Sequence, residues 1–133
     1  MEKRCIILRG IPGSGKSTLA KQLIGKTGKI HNTDEYFMKD GVYRFDPSLL
    51  SRNHELNFQA FKADLALEVS PIIVDNTNTR KWEYEKYQQA AENAGYKVEI
   101  ISVPHIDPVL AAQRNTHGVP EESIRRMIAR WEA

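Results

Sequence analysis

Gly10-Ile11-Pro12-Gly13-Ser14-Gly15-Lys16-Ser17 follows the apolar run Cys5-Ile6-Ile7-Leu8 and leads into a helical pattern that begins at Thr18. Its glycines let the backbone turn tightly and approach a ligand, so that successive N–H groups point at anionic oxygens. A Gly-rich loop ending in Gly-Lys-Ser, between a strand and a helix, has the spacing of a phosphate-binding loop. Lys16 then reaches the β- and γ-phosphates of a nucleotide, and Ser17 offers its hydroxyl to Mg²⁺. The positive end of the helix dipole adds to the same field. The nucleotide-contacting candidates are Gly10, Pro12, Gly13, Ser14, Gly15, Lys16, Ser17 and Thr18.

A chain of 133 residues is sized for one domain with a real core, and a single domain over 1–133 is expected. With 41% hydrophobic and 27% charged residues, the composition is that of an ordinary globular protein, not a disordered or fibrous one. No apolar run reaches the length of a membrane span. Met1-Glu2-Lys3-Arg4 lacks the apolar core of a secretory signal, so a cytoplasmic protein is expected. The lone Cys5 excludes an internal disulfide and a Cys-based zinc site, and packing in the first strand is its expected role. A net charge of +2 gives no reason to expect wrapping of a long nucleic acid, while leaving a short end open.

Along the chain, the apolar run from Lys3 to Arg9 suits a strand covered on both faces. The helix after the loop has Leu19, Ala20, Leu23 and Ile24 on one face and stops at Gly25 and Gly28, before a short strand from Lys29 to Asn32. Asp34 follows that strand's carboxyl end, on the edge where parallel sheets bind ligands. It reads equally as a proton acceptor for an attacking hydroxyl and as the cap of the next turn. Met38 to Phe45 is irregular, with a turn at Asp40-Gly41. Asp46-Pro47 then caps a helix running to about Val69, whose inner stripe is Leu50, His54, Asn57, Phe58, Phe61 and Leu65. Hydrogen-bonded core positions are the plainer account of His54 and Asn57, against the lining of a substrate channel.

Pro71 to Asp75 reads as a strand ending in a carboxylate, a Walker B element that orients Mg²⁺ directly or through water, a turn former, or both. Asn78 or Thr79 would cap a helix running to Ala94, ended by Gly95, with Tyr84, Tyr87, Ala91 and Ala94 on one face. Packing is the plainer account of its Trp82, against a base-stacking platform. A strand from Lys97 to Val103 and a short helix after Asp107-Pro108 lead to Arg114-Asn115-Thr116-His117-Gly118-Val119-Pro120. Arg114 at that break is either a lid arginine over phosphates or a solvated surface residue. The last helix buries Ile124, Met127, Ile128 and Trp131 and leaves Arg125, Arg126 and Arg130 on a solvated face. Four strands alternating with helices imply an α/β fold with a parallel sheet covered on both faces.

Neither the Asp-x-x-Gly of GTPase switches nor an Asn-Lys-x-Asp guanine-reading string occurs, and the chain is short for an oligomeric motor. Together the phosphate loop, Asn32-Thr33-Asp34-Glu35-Tyr36, Ile73-Val74-Asp75-Asn76-Thr77-Asn78, Gly95-Tyr96-Lys97-Val98 and Arg114 to Pro120 resemble the polynucleotide 5′-kinase family. Tyr43-Arg44-Phe45, His54, Asn57 and Trp82-Glu83 bring the resemblance nearest to a kinase-like domain of a eukaryotic ubiquitin-ligase-binding protein. It is looser to the phage polynucleotide kinase.

The resemblance implies a P-loop NTPase three-layer sandwich and an ATP- and Mg²⁺-dependent transfer of the γ-phosphate to a 5′-hydroxyl of DNA or RNA. It implies Asp34 as general base, Lys16 and Ser17 holding the donor phosphates and Mg²⁺, Arg114 as a lid arginine, and Asp75 in a supporting role. Phe37 stands where the phage enzyme has an acceptor-binding arginine, and Thr116-His117-Gly118 where it has a second lid arginine. Arg44 or Arg52 would supply that charge instead. A kinase of a small hydroxyl compound and a non-catalytic nucleotide-binding module are the alternatives.

Overall fold

Cys5, Ile7, Ile72 and Val74 point to one side of a parallel sheet while Ile6, Leu8 and Ile73 point to the other, and all seven are buried. This two-sided burial is why both central strands read as unbroken apolar runs, without the alternation of a half-exposed strand. The computed structural model describes residues 2–133.

In chain order, β1 (Arg4–Arg9) leads through the phosphate loop into α1 (Lys16–Leu23), and β2 (Lys29–His31) into a 3-10 turn at Thr33–Phe37. A small antiparallel hairpin, β3 (Met38–Lys39) and β4 (Val42–Tyr43), occupies the stretch expected to be irregular. It turns at Asp40-Gly41, where both residues have positive φ. A 3-10 turn at Pro47–Leu49 then starts α2 (Leu50–Ala66). There follow β5 (Ile72–Asp75), α3 (Lys81–Asn93), β6 (Lys97–Ser102), α4 (Pro108–Arg114) and α5 (Glu121–Ala129).

The four long strands are parallel in the order β2-β5-β1-β6. All their carboxyl ends therefore meet on one edge, which receives the phosphate loop, the Thr33–Phe37 turn and the loops after β5 and β6. Helix α1 covers one face through Ala20, Leu19, Leu23 and Ile24. Helices α2 and α3 cover the other with Phe61, Leu65, Tyr84, Tyr87 and Ala91. The α4–α5 pair encloses a third cluster, in which Ile11 of the phosphate loop meets Ala111 and Ile124. Cys5 packs in this core as expected, and burial pushes its thiol pKa up to about 12.

Three packing expectations need correction. The inner stripe of α2 is Asn53, Asn57, Phe61 and Leu65, whereas Leu50 and His54 are exposed. A four-residue step sets this stripe, and His54, one position beyond Asn53, is rotated about 100° away. Trp82 does not pack, being 71% exposed. Its neighbours Tyr84 and Tyr87 already fill the inner face of α3. Nor does the cap of α3 come from Asn78 or Thr79. Glu83 accepts from the Arg80 N–H (3.0 Å) and the Thr79 hydroxyl (2.6 Å), while the buried Asn78 donates to the Leu8 carbonyl (2.9 Å).

Candidate active site

The phosphate loop folds as its glycines allow. Gly13 and Gly15 adopt φ of 79° and 94°, and a Cβ on Gly13 would lie 2.4 Å from the Ala111 carbonyl oxygen. The left-handed backbone and the approach of α4 thus both require glycine at 13. Ser14 Oγ is buried within the loop without a hydrogen-bond partner.

Below the loop, the carboxylate of Asp75 gathers three donors. Lys16 Nζ lies 2.6 Å from Oδ1, while Ser17 Oγ (3.0 Å) and Asn32 Nδ2 (3.2 Å) donate to Oδ2. Asp75 is 3% exposed, so this ion pair lies inside the protein, and its carboxylate serves this cluster rather than a turn. The arrangement suits a magnesium nucleotide. A hydroxyl and a single carboxylate are hard oxygen ligands of the kind Mg²⁺ takes when phosphates and water complete its octahedron. Among the described residues no group of three or more His, Cys, Asp or Glu side chains could hold a metal alone. The Lys16 ammonium and the loop backbone border the cleft where a phosphate chain would lie, whereas the unpartnered Ser14 hydroxyl is turned inward beside Gly10.

Geometry also separates the two readings of Asp34. The cap of the Thr33–Phe37 turn is Asn32, whose Oδ1 accepts from the Asp34 backbone N–H at 2.8 Å. The Asp34 side chain is left to face the cleft, 42% exposed. Its Oδ1 accepts from the Tyr43 hydroxyl at 3.2 Å, and its Oδ2 lies 3.2 Å from Nδ1 of His117. The rings of Tyr43 and His117 are stacked, with centroids 4.0 Å apart and 16° between planes. Burial, and then the Asp34 charge, raise the Tyr43 pKa well above its usual value, so the phenol keeps its proton and stays a donor.

His117 was not among the sequence candidates. It belongs to the break after α4, where Asn115 pins the loop by donating to the carbonyls of Ala111, Ala112 and Val119 and accepting from the Val119 N–H. Arg114, at the end of α4, is exposed and lines the same cleft. Asp34, Lys16, Ser17 and Arg114 thus border one cavity of about 1570 Å³, with Asp75 beneath it. His54 lines it too, its ring partly enclosed with Nδ1 3.0 Å from the Thr33 hydroxyl, and that partial burial lowers its pKa. The expectation of a core histidine there is corrected, whereas Asn57 is a core residue that donates to the Tyr87 hydroxyl at 3.0 Å.

Neither Arg44 nor Arg52 lines the cleft. Phe37 is buried against Tyr43 and Phe45. The cations that do line it, beyond Lys16 and Arg114, are Arg80, Lys86 and Arg130. Arg130 is not simply solvated, since its Nε donates to Thr79 Oγ1 at 3.2 Å. Arg125 and Arg126 are on the solvated face, paired with Glu121 and Glu122 one turn back. Arg9, read from sequence only as the end of β1, is buried, and donates to the carbonyls of Asn78 (2.8 Å), Thr79 (3.1 Å) and Glu132. A cation at a strand end next to an apolar run gave no signal that it would turn inward.

The chain is 40% identical to human NEDD4-binding protein 2 over 133 residues, a match that covers 96% of this chain and 8% of that protein. Among solved structures, one from the Pnkp1/Rnl/Hen1 RNA repair complex superposes with a TM-score of 0.76 at 20% identity, covering 97% of this chain and 44% of that one. A gluconokinase from Sinorhizobium meliloti 1021 gives 0.60 at 15% identity, covering 97% and 75%. These likenesses show the fold, an α/β P-loop sandwich shared with kinases. The chain therefore corresponds to a small part of NEDD4-binding protein 2 and to less than half of the matched chain of the repair complex. A family model described as AAA domain matches residues 5–133, and the chain belongs to that family.

Proposed function

We propose that residues 1–133 form one kinase domain that transfers the γ-phosphoryl group of ATP to a 5′-hydroxyl of DNA or RNA, with Mg²⁺ at Ser17 and Asp75. The observation that carries this reading is the Asp34 carboxylate, free of any capping role and facing the same cleft as Lys16 and Ser17. The kinase relatives, Pnkp1 in an RNA repair complex among them, support it.

In this mechanism the backbone amides of the loop and Lys16 cradle the donor phosphates, which takes Lys16 from Asp75. Mg²⁺, when bound, neutralises charge on the phosphate oxygens. The acceptor hydroxyl enters beside Asp34, displacing His117 from Oδ2 while Tyr43 keeps Oδ1 and fixes the carboxylate. The hydroxyl oxygen then bonds to the γ-phosphorus as the bond from that phosphorus to the bridging oxygen breaks. Its proton passes to Asp34, and ADP leaves with the electron pair. Arg114 meets the charge on the transferred group, and closure of its loop excludes water.

General bases typically contribute about 10² to 10⁴ in rate. Asp34→Asn is therefore expected to lower kcat by that factor for a 5′-hydroxyl oligonucleotide while ATP binding persists. The assay follows label from γ-labelled ATP beside nucleoside and sugar acceptors. An unchanged kcat in the variant would remove Asp34 from the chemistry. Label only on a sugar or nucleoside would replace the acceptor class, and label on none would leave a nucleotide-binding module.

A further inference from the structure

The cleft is larger than its donor site requires. Single-ligand pockets usually span about 300–1,000 Å³, and this cavity measures about 1570 Å³. Its lining extends from the phosphate loop past Asp34 to the first turn of α3, where Trp82 stands 71% exposed on the cleft wall. An indole that gains nothing from the core and remains in water beside a site has the properties of a recognition surface. Arg80 and Lys86 share its wall, and Arg130 reaches the same loop through Thr79. Five cationic side chains line the cleft against three carboxylates, Asp34, Glu55 and Glu83. Glu83 is already engaged in capping α3.

We propose that Trp82 is a stacking platform for a nucleobase of the acceptor, so that the cleft takes a single-stranded 5′ end of two or more nucleotides in preference to a single nucleoside. This rests on the proposed kinase reading and specifies its acceptor. A planar π-face beside cations is how proteins hold single strands irrespective of base sequence. Topology puts the platform on the path of the strand. Asp34 follows β2 and Trp82 follows β5, its immediate neighbour, whereas α4 closes over the phosphate loop from the β6 side. A strand that presents its terminal hydroxyl to Asp34 thus runs over the start of α3, with its backbone phosphates toward Arg80 and Lys86.

The test compares wild type, Trp82→Ala and Trp82→Phe on a nucleoside 3′-phosphate and on 5′-hydroxyl single strands of two and ten nucleotides. The expected result is a wild-type KM lower for the strands than for the mononucleotide. Trp82→Ala should raise the ten-nucleotide KM about tenfold or more, leave kcat and the ATP KM unchanged, and erase the advantage of length. Trp82→Phe should recover most of it, which loss of a merely structural residue would not predict. An unchanged oligonucleotide KM in Trp82→Ala overturns the proposal, and so does a rise confined to the ATP KM, which would assign the indole to the donor base. A wild type that labels no oligonucleotide defeats the kinase reading instead. Fluorescence then decides the platform by itself: quenching by the ten-nucleotide strand that is lost in Trp82→Phe supports it, and no quenching overturns it.

Discussion

Replacing Asp75 with asparagine tests whether the Lys16–Asp75 pair is an internal charge pair of the nucleotide-free protein. The carboxylate holds three donors, whereas it is the sole hydrogen-bond acceptor of the Lys16 ammonium among the described residues. The side chains are 10% and 4% exposed, so water compensates poorly for a lost partner. Breaking a buried pair from one side typically costs about 3–5 kcal/mol. Lys16 borders the cleft and can turn toward it, which puts Asp75→Asn near the lower end, about 3 kcal/mol. Lys16→Met leaves Asp75 with the Ser17 and Asn32 hydrogen bonds, and its cost should be smaller, about 1–2 kcal/mol. Urea unfolding of the nucleotide-free proteins measures both, and the double variant should cost less than the two singles combined. For a chain of this size about 3 kcal/mol corresponds to a fall in Tm on the order of 10 °C. ADP without Mg²⁺ should recover part of the Asp75→Asn loss, because a phosphate oxygen gives Lys16 a new anion. An Asp75→Asn protein within about 1 kcal/mol of wild type, or a Lys16→Met protein that is the less stable of the two, would refute the reasoning.

Arg9→Met is expected to cost about 3 kcal/mol in urea unfolding, because it strips a charged donor from three carbonyls and from between the rings of Tyr84 and Trp131. It should also speed proteolysis near Glu132, and a loss under about 1 kcal/mol would mean that water replaces those bonds. The buried His31, 2.8 Å from Asp64, has a pKa lowered first by burial. The unfolded chain therefore binds more protons than the folded one below about pH 6.5. The stability present above that pH should be lost on acidification, with a slope of up to about 1.4 kcal/mol per pH unit for this one proton. His31→Gln should flatten the profile just below pH 6.5, and an unchanged slope would exclude His31 as its source.

The sequence by itself determined the phosphate loop, because chemistry at short range dictates it. Gly13 and Gly15 must reach positive φ, Lys16 and Ser17 must follow them, and a strand and helix must flank them. It also determined that β1 and β5 are central, since strands buried on both faces must be apolar at every position, and that Asp34 and Asp75 stand at strand ends on one edge. The boundaries of β1, β2, β5 and β6 came within a residue or so of those observed.

What only the tertiary structure decided depends on groups far apart in the chain. Whether Asp34 caps or faces the cleft was settled by Asn32 taking the cap, and by Tyr43 and His117 arriving from the hairpin and from the loop after α4. His54 and Asn57 differ in fate although both lie on α2, because helix rotation turns one to the cleft and the other to Tyr87. The expectation that Trp82 packs fails because periodicity tells which face a residue occupies but not whether anything covers that face. Arg9 turned inward because carbonyls of Asn78, Thr79 and Glu132 converge on it, 69 to 123 residues away in sequence. Local sequence fixes backbone conformation and the hydrophobic face of each element. The partner of a polar side chain is chosen by whichever distant segment the packing brings within about 3 Å.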